Sequence, residues 1–598
     1  MNDRPSAYAG FKLLPTLLIG LGMIILLIGL VPVSWLHHLL DPLSMDHHAA
    51  FLDRPSFSAL RAGVAGTGLI VLLAGAFILA WPKRAGLVLG WLKKFGVDLW
   101  QDNRRLLADL LSARPAAWET ALLAVITGAG FFARLVLLPG PMQYDESMSF
   151  IDYASHSLWT VLASYDAPNN HVFHTLLVHI AYSILGNAPW VVRLPAFTAG
   201  VLIIPGSYLL GRVLYNRQVG WLAAVLAAWW PQLVYYSANA RGYSLLGLFS
   251  LLIFILAAVV IKKDRPAAWL WIAVFSALGL YTVPVMAFAL GMLYLWLLFS
   301  FIAGETGPAY TARRFFLRIL VCGISSLLLA GFFYLPIVVN SGLHALIGNE
   351  FVQSLSWQAF THSLPYFLHD IWFRFTESMS WPFIVFLAAG LGLSIVLHRV
   401  NARHKVPILA TSLLFFIVVI PLQRPQMLAK LFYFSLPLLA VWAASGWTAV
   451  IMLVSRRLPG RILSFTMVII ITGSCIVQAL PNLPYLNGAV EAHEKAAAWF
   501  KTNLTQDDIA LIDYPTDYRI YYYLIRLGIP LDSFRNQEKH AFKRAFVLVD
   551  PREGQTLQSV VADKSPSWCA LDISSAQGIA EIDFMYIYTL NPLCSFTP

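Results

Sequence analysis

Apolar runs of about 20 residues recur along this chain, each long enough to cross ~30 Å of hydrocarbon. The first is LLPTLLIGLGMIILLIGLVPV, beginning at Leu13. No small-residue cleavage site follows it closely, so it reads as a retained span and not as a signal peptide. Within hydrocarbon such a run satisfies its backbone only as a helix. The 598 residues are 58% hydrophobic and 12% charged, about half the charge of a soluble protein. The expected fold class is an α-helical polytopic membrane protein.

Spans are expected near 12–33, 63–81, 116–138, 190–211, 219–237, 243–261, 266–282, 284–302, 315–338, 381–398, 406–422, 431–452 and 462–481, or about 13 transmembrane helices. The net charge of +10 falls in short loops between them. That is the positive-inside pattern, and it argues against nucleic acid as a partner. Loops 82–115, 262–265, 313–318, 399–405 and 456–461 carry the Lys and Arg and should be cytoplasmic. Alternation then puts residues 139–170, Arg241, the loop 339–380, the Arg424–Lys430 segment and everything after 482 outside. HVFHTLLVHIAYSILG, 171–186, breaks the parity if it crosses. It is expected to begin and end on the outer side, at the interface or dipping into the membrane. WLKKFGVDLWQDNRRLLADLLS, 91–112, reads as an amphipathic helix on the cytoplasmic surface.

Three regions follow. Residues 1–115 form an N-terminal transmembrane hairpin plus that amphipathic segment. Residues 116–483 form the main transmembrane core. Residues 484–598 change character: AVEAHEKAAAWFKTNL reads as a helix, DDIALIDYP as a strand, TDYRIYYYLIRLG as a helix ending at Gly528, and RAFVLVD as a strand. This is a small extracytoplasmic α/β domain, and no G-x-G-x-x-G follows a strand in it. Cys322 and Cys475 lie in apolar runs and read as inert core residues. Cys569 and Cys594, both outside, are expected to form a disulfide.

The stretch GPMQYDESMSFIDY, 140–153, sets Asp145 and Glu146 at the lip of a span, in an outer loop with no Lys or Arg. Arg241, in YYSANARGYSLL, starts a span on the same side. PLQRPQMLAKLFYFSLPLL adds Arg424 and Lys430, outer cations of the kind positive-inside selection disfavours. Arg241 is expected at an exposed lip, where its loss should leave folding intact. PNNHVFHTLL brings amides and imidazoles to the same face, among them Asn170, His171 and His174. A divalent metal on these histidines and the carboxylates is the less favoured expectation, and no other cofactor is implied. Carboxylates and cations together, without a nucleotide pocket, suit sugar transfer from a lipid phosphate. A base takes the acceptor hydroxyl proton, and cations stabilise the departing phosphate.

The ordered set DE, then N-H, then VVRLPAFTAG, then LAAWWPQLVYYSANARGY, then AKLFYFSLP resembles the membrane glycosyltransferases of the C superfamily. Within it, the branch with protein O-mannosyltransferases and the lipid A aminoarabinose transferase is the nearest parallel, over roughly residues 116–483. The resemblance implies an inverting transfer of a hexosyl or pentosyl group from a polyprenyl-phosphate sugar, on the extracytoplasmic side. It implies Asp145 as catalytic base with Glu146 beside it, Arg241 on the donor phosphate, Lys430 as the basic residue before the late span and Arg193 as structural; Lys430 and Arg424 are expected to join Arg241 on the donor phosphate. His171, Asn170 and Tyr243 are the expected substrate contacts. The family's H-P-P-L segment reads HVFH here, without its prolines, Asn169 stands where an acidic residue is common, and Leu176 where some members have lysine.

The expected partners are the lipid-linked sugar, an acceptor lipid, glycan or protein, and the bilayer. The expected setting is the bacterial inner (plasma) membrane, in cell-envelope glycosylation. Two rival readings stand beside this one: a lipid-linked oligosaccharide ligase or polymerase, to which His344, His362, His369 and Arg374 in the loop 339–380 are relevant, and a transporter or flippase of lipid-linked sugars. No internal repeat of the kind transporters show is present. An assembly or interaction protein would explain the external domain but not the acidic pair.

Overall fold

The computed structural model describes residues 6–40, 55–80, 82–111, 117–348, 353–454, 473, 484–505, 507–535 and 542–594. Each expected span within them is occupied by helix. The span expected at 462–481 lies, but for Gly473, outside the described residues, as does Cys475. Among the described residues, six helices are long and apolar enough to cross a membrane, or seven if Trp357–Thr376 and Trp381–Val396, bent by 110° at their junction, form one span. Five further apolar helices are shorter. Length and composition among the described residues do not confirm the count of 13, and one expected span is divided. The run 219–237 is not one helix: it divides into Arg217–Trp229 and Pro231–Ser237. Pro231 lacks the N–H that would continue the first helix, and it opens the second at the N1 position.

Tyr243–Lys262 is buried on nearly every side, as a helix apolar all round must be. It is packed among Pro189–Leu214, Pro266–Thr282, Met286–Ile302 and Leu436–Val454, which share its hydrophobic core. The long helix Pro82–Leu111 leans on the same bundle through charge. Asp109 pairs with Lys263 at 2.6 Å and with Arg265 at 2.8 Å, and Asp102 accepts from the Ala267 amide at 2.9 Å. Asp264 pairs with Arg314 and Arg318, and Glu305 with Lys262 and His404. Every one of these pairs joins loops that charge alternation assigns to one side.

The helix Val172–Leu185 spans 14 residues, or about 21 Å, short of a bilayer crossing. Its start, His171, meets Arg241, and just past its end the Asn187 carbonyl accepts from Tyr522 of the C-terminal domain at 2.6 Å. Both ends therefore adjoin one face of the molecule. Gly186, at φ +87°, ends the helix in a conformation other residues adopt only with strain.

The C-terminal region carries four strands, β1 (Asp508–Ile512), β2 (Arg544–Val549), β3 (Leu571–Ile582) and β4 (Met585–Pro592), in the order β1-β2-β4-β3. β1 and β2 are parallel, joined through the helix Asp517–Arg526, and the other pairs are antiparallel. Both faces of β1 are buried: Ile509 and Leu511 pack with Val547, Val560 and Cys569, while Ala510 and Ile512 pack with Phe500, Ile520 and Tyr522. The second of these clusters continues into Met142, Phe150, Ile151 and Val192, so the domain and the loop holding the acidic pair share a core. Cys569 and Cys594 are joined in a disulfide, with Cα atoms 5.4 Å apart.

Candidate active site

The acidic pair sits in the first turn of a six-residue helix, Tyr144–Ser149. Adjacent helical residues point about 100° apart, and here the two carboxylates part ways. Glu146 is fully buried. Its Oε1 accepts from the Gln143 amide at 2.8 Å and from Arg193 Nη2, and its Oε2 from Arg193 Nε at 3.1 Å and the Ala240 amide at 2.7 Å. Arg193, also buried, donates in addition to the carbonyls of Leu138, Gly140 and Pro141. Both oxygens of Glu146 are thus engaged. It ties the loop to the helix Pro189–Leu214 and to the turn before Arg241.

Asp145 is partly exposed. Its Oδ2 accepts from Lys430 Nζ at 2.7 Å. Lys430 lies in a 3-10 turn, Ala429–Ser435, that leads into the helix Leu436–Val454. Burial pushes the Asp145 carboxyl up, but the charges of Arg241 and Lys430 outweigh it, and the group is held below the ordinary carboxylate range.

Arg241 is 3% exposed, not the exposed lip residue that its place in the sequence suggests. The short helix Pro231–Ser237 and the turn after it carry its side chain inward. Its Nη1 donates to Ser149 Oγ at 2.5 Å, to the Asn169 carbonyl at 2.7 Å and to the Asp145 carbonyl at 3.4 Å. Its Nη2 lies 3.2 Å from His171 Nε2, and its buried Nε has no partner. The Gly242 amide donates to His171 Nδ1 at 2.9 Å. A Cβ on Gly242 would stand 2.5 Å from Thr282 Cγ2 and 3.1 Å from His171 Nδ1, so this approach needs glycine. Burial, then the charge of Arg241, pushes the His171 ring well below its ordinary pKa, so it is neutral. With Nδ1 accepting, the ring proton sits on Nε2. Two N–H groups, His171 Nε2 and Arg241 Nη2, then face one another without an acceptor. An oxyanion is the group such a pair would take.

The chain resembles known proteins in part of its sequence and in its fold. Residues 169–321 match the family model described as dolichyl-phosphate-mannose-protein mannosyltransferase. The crystal structure of ArnT from Cupriavidus metallidurans in the apo state aligns with a TM-score of 0.52 at 11% identity, covering 79% of this chain and 97% of that one. The same protein bound to undecaprenyl phosphate aligns at 0.53 and 12%, covering 79% and 98%. No curated protein matches by sequence. The chain shares the fold of these ArnT structures.

On this fold, Asp145, Lys430, Arg241 and His171 are drawn into one network, with the Tyr243 ring 5.0 Å from that of His171. Arg424 stands apart. It takes a left-handed backbone conformation after the helix Ile408–Gln423 and lies over the Trp357 ring at 5.1 Å. Asn170 turns away and donates to the Ser164 carbonyl at 2.8 Å. Its neighbour Asn169 instead donates to the Asp145 carbonyl and to Ser149 Oγ. Ser149 and Asn169 escape a sequence reading that looks for charges. The available signal was spacing, since Ser149 lies four residues beyond Asp145, on the same helix face. The Tyr243 ring stands edge-on to those of Tyr236 and Tyr433, which lie tilted against one another with centroids 4.3 Å apart. Among the described residues no group of three or more His, Cys, Asp or Glu is gathered to hold a metal ion.

Proposed function

We propose that this protein moves a sugar from a polyprenyl-phosphate donor to an acceptor hydroxyl, with inversion, on the extracytoplasmic face of a bacterial inner membrane. One observation carries the reading: a partly exposed carboxylate next to a buried arginine and a neutral imidazole whose N–H groups converge without an acceptor. Asp145 is the general base. Lys430 holds Oδ2, and Oδ1 is left to take the proton of the acceptor hydroxyl. The acceptor oxygen attacks the anomeric carbon as the bond from that carbon to the phosphate oxygen breaks. Arg241, His171 and Lys430 stabilise the charge that builds on the departing phosphate. That phosphate is a good leaving group, so no strong acid is needed on its side. The low pKa of Asp145 keeps it ionised at neutral pH. The binding of undecaprenyl phosphate by a protein of the same fold supports a lipid-phosphate donor here.

Purified protein incubated with a panel of polyprenyl-phosphate sugars should consume one of them in the presence of membrane acceptors. Asp145→Asn should abolish consumption with the protein still folded. Near-wild-type turnover by that variant would remove Asp145 as base, and an untouched panel would overturn the donor class.

A further inference from the structure

The helix Asp517–Arg526, sequence DYRIYYYLIR, belongs to the C-terminal domain. It supplies three tyrosine hydroxyls to the membrane core. Tyr518 donates to Asp152 Oδ2 at 2.7 Å. Tyr522, four residues on and on the same face, donates to the Asn187 carbonyl at 2.6 Å and sets its ring 5.4 Å from Phe150. Tyr523 accepts from the Met142 amide at 3.4 Å. Tyr144, the residue before Asp145, has its ring edge-on between Tyr514 at 4.8 Å and Tyr518 at 5.2 Å.

These contacts bracket the catalytic loop. Met142 precedes the helix that carries Asp145, Asp152 lies in the π-turn Phe150–Ala154 that follows it, and Asn187 precedes the helix that carries Arg193. A six-residue helix has no stability of its own, so tertiary contacts hold it in place. Glu146 and Arg193 anchor its inner side. Its outer side rests on tyrosines from a domain more than 360 residues further along the chain.

We propose that the tyrosine helix Asp517–Arg526 is a positioning element of the active site, and that Tyr518, through Asp152 and the Tyr144 ring, holds Asp145 in register with Arg241 and Lys430. The catalytic part of this statement rests on the function proposed above; the clamping part does not. A charge-assisted hydrogen bond at Asp152 suits the task, because it is directional as well as strong. Tyr518 is a positioning residue, acting through the loop and not on substrate.

Hydrogen exchange on the purified full-length protein tests the clamp without any substrate. In Tyr518→Phe, amides of 141–153 should exchange at least about ten-fold faster, while those of β1 and β2 keep their protection. Asp152→Asn, which removes the charge from the other side without touching the domain, should give the same pattern. If Tyr518→Phe also loosens β1 and β2, Asp152→Asn alone decides. Unchanged exchange at 141–153 in Asp152→Asn, or in a folded Tyr518→Phe, overturns the proposal.

With a donor that the wild type consumes, Tyr518→Phe should lower turnover about ten- to a hundred-fold. The acid limb of its pH–rate profile should move upward, because a displaced Asp145 loses the charges of Arg241 and Lys430. An unmoved limb with full turnover would reject the positioning role. A wild type that consumes no donor would reject the proposed function and leave the exchange result standing.

Discussion

Two adjacent carboxylates differ in their surroundings: Glu146 is buried among N–H donors, whereas Asp145 is partly exposed and accepts from Lys430. Glu146 meets four N–H groups and has no face left for substrate. Glu146→Gln places an amide N–H₂ against donors and leaves Arg193 buried without its counter-charge. We expect a loss of about 3–5 kcal/mol of stability, seen as a lower melting temperature in detergent, with Asp145→Asn nearly unchanged in the same assay. Stability equal to wild type would show that Glu146 does not hold the loop. For Asp145 the sensitive readout is pH. Lys430 lowers its pKa by charge and by hydrogen bond, against burial, which raises it. Removing that cation in Lys430→Met raises the carboxyl pKa, so the base is protonated at a higher pH as acid is added. The acid limb of kcat/KM should therefore move up. A limb that stays put would mean that Lys430 does not interact with the base in the working enzyme.

The break at Trp230–Pro231 decides where Arg241 ends up, and it is held by another buried arginine. Arg134, fully buried, donates to the Ala227 carbonyl at 2.8 Å, to the Ala228 carbonyl at 2.8 Å and to Ser237 Oγ at 3.0 Å. The carbonyls belong to the last turn of Arg217–Trp229, which Pro231 leaves without onward amide donors. The serine belongs to the short helix that follows. Arg134 thus caps one helix and ties it to the next, and a cation suits the negative end of a helix dipole. Arg134→Met should cost ~3 kcal/mol or more by leaving buried carbonyls unpaired. Thermal unfolding and detergent-resistant yield would report it, and a wild-type melting temperature would contradict the capping role. Gly200 belongs to the same joint, since a Cβ there would lie 1.9 Å from Ser237 Oγ.

At the scale of the molecule, a helical bundle and an α/β domain meet over the loop that carries Asp145 and Glu146, through one continuous core. The disulfide Cys569–Cys594 ties the segment leading into β3 to the end of β4, closing a loop of 25 residues in sequence. Replacing both cysteines by alanine should destabilise that domain by about 2–4 kcal/mol. Limited proteolysis should then cut within 544–594 before it cuts the bundle. Equal resistance in the two proteins would show that the bridge contributes nothing to the domain.

How much of this was legible in the sequence follows from what each signal measures. Apolar runs and the charges between them report solvent, residue by residue, and they located the helices of the bundle and the change of character after 482. Cysteines in a small polar region suggested the bridge, and residue type and order drew attention to Asp145, Arg241, His171 and Lys430. Hydropathy says nothing of direction, however. Asp145 and Glu146 are equal in any composition. Arg241 looks exposed at a membrane lip until a proline-split span turns it inward, and Asn169 cannot be told from Asn170. Those choices depend on which donors and acceptors lie within about 3 Å, and their partners come from 47, 72, 285 and 366 residues away. The sequence by itself determined a bundle of apolar helices followed by a small α/β region, and a short roster of candidate reactive groups. Only the tertiary structure decided which carboxylate is buried and fully paired and which stays partly exposed, because burial and pairing are properties of neighbours that the chain brings together only when it folds.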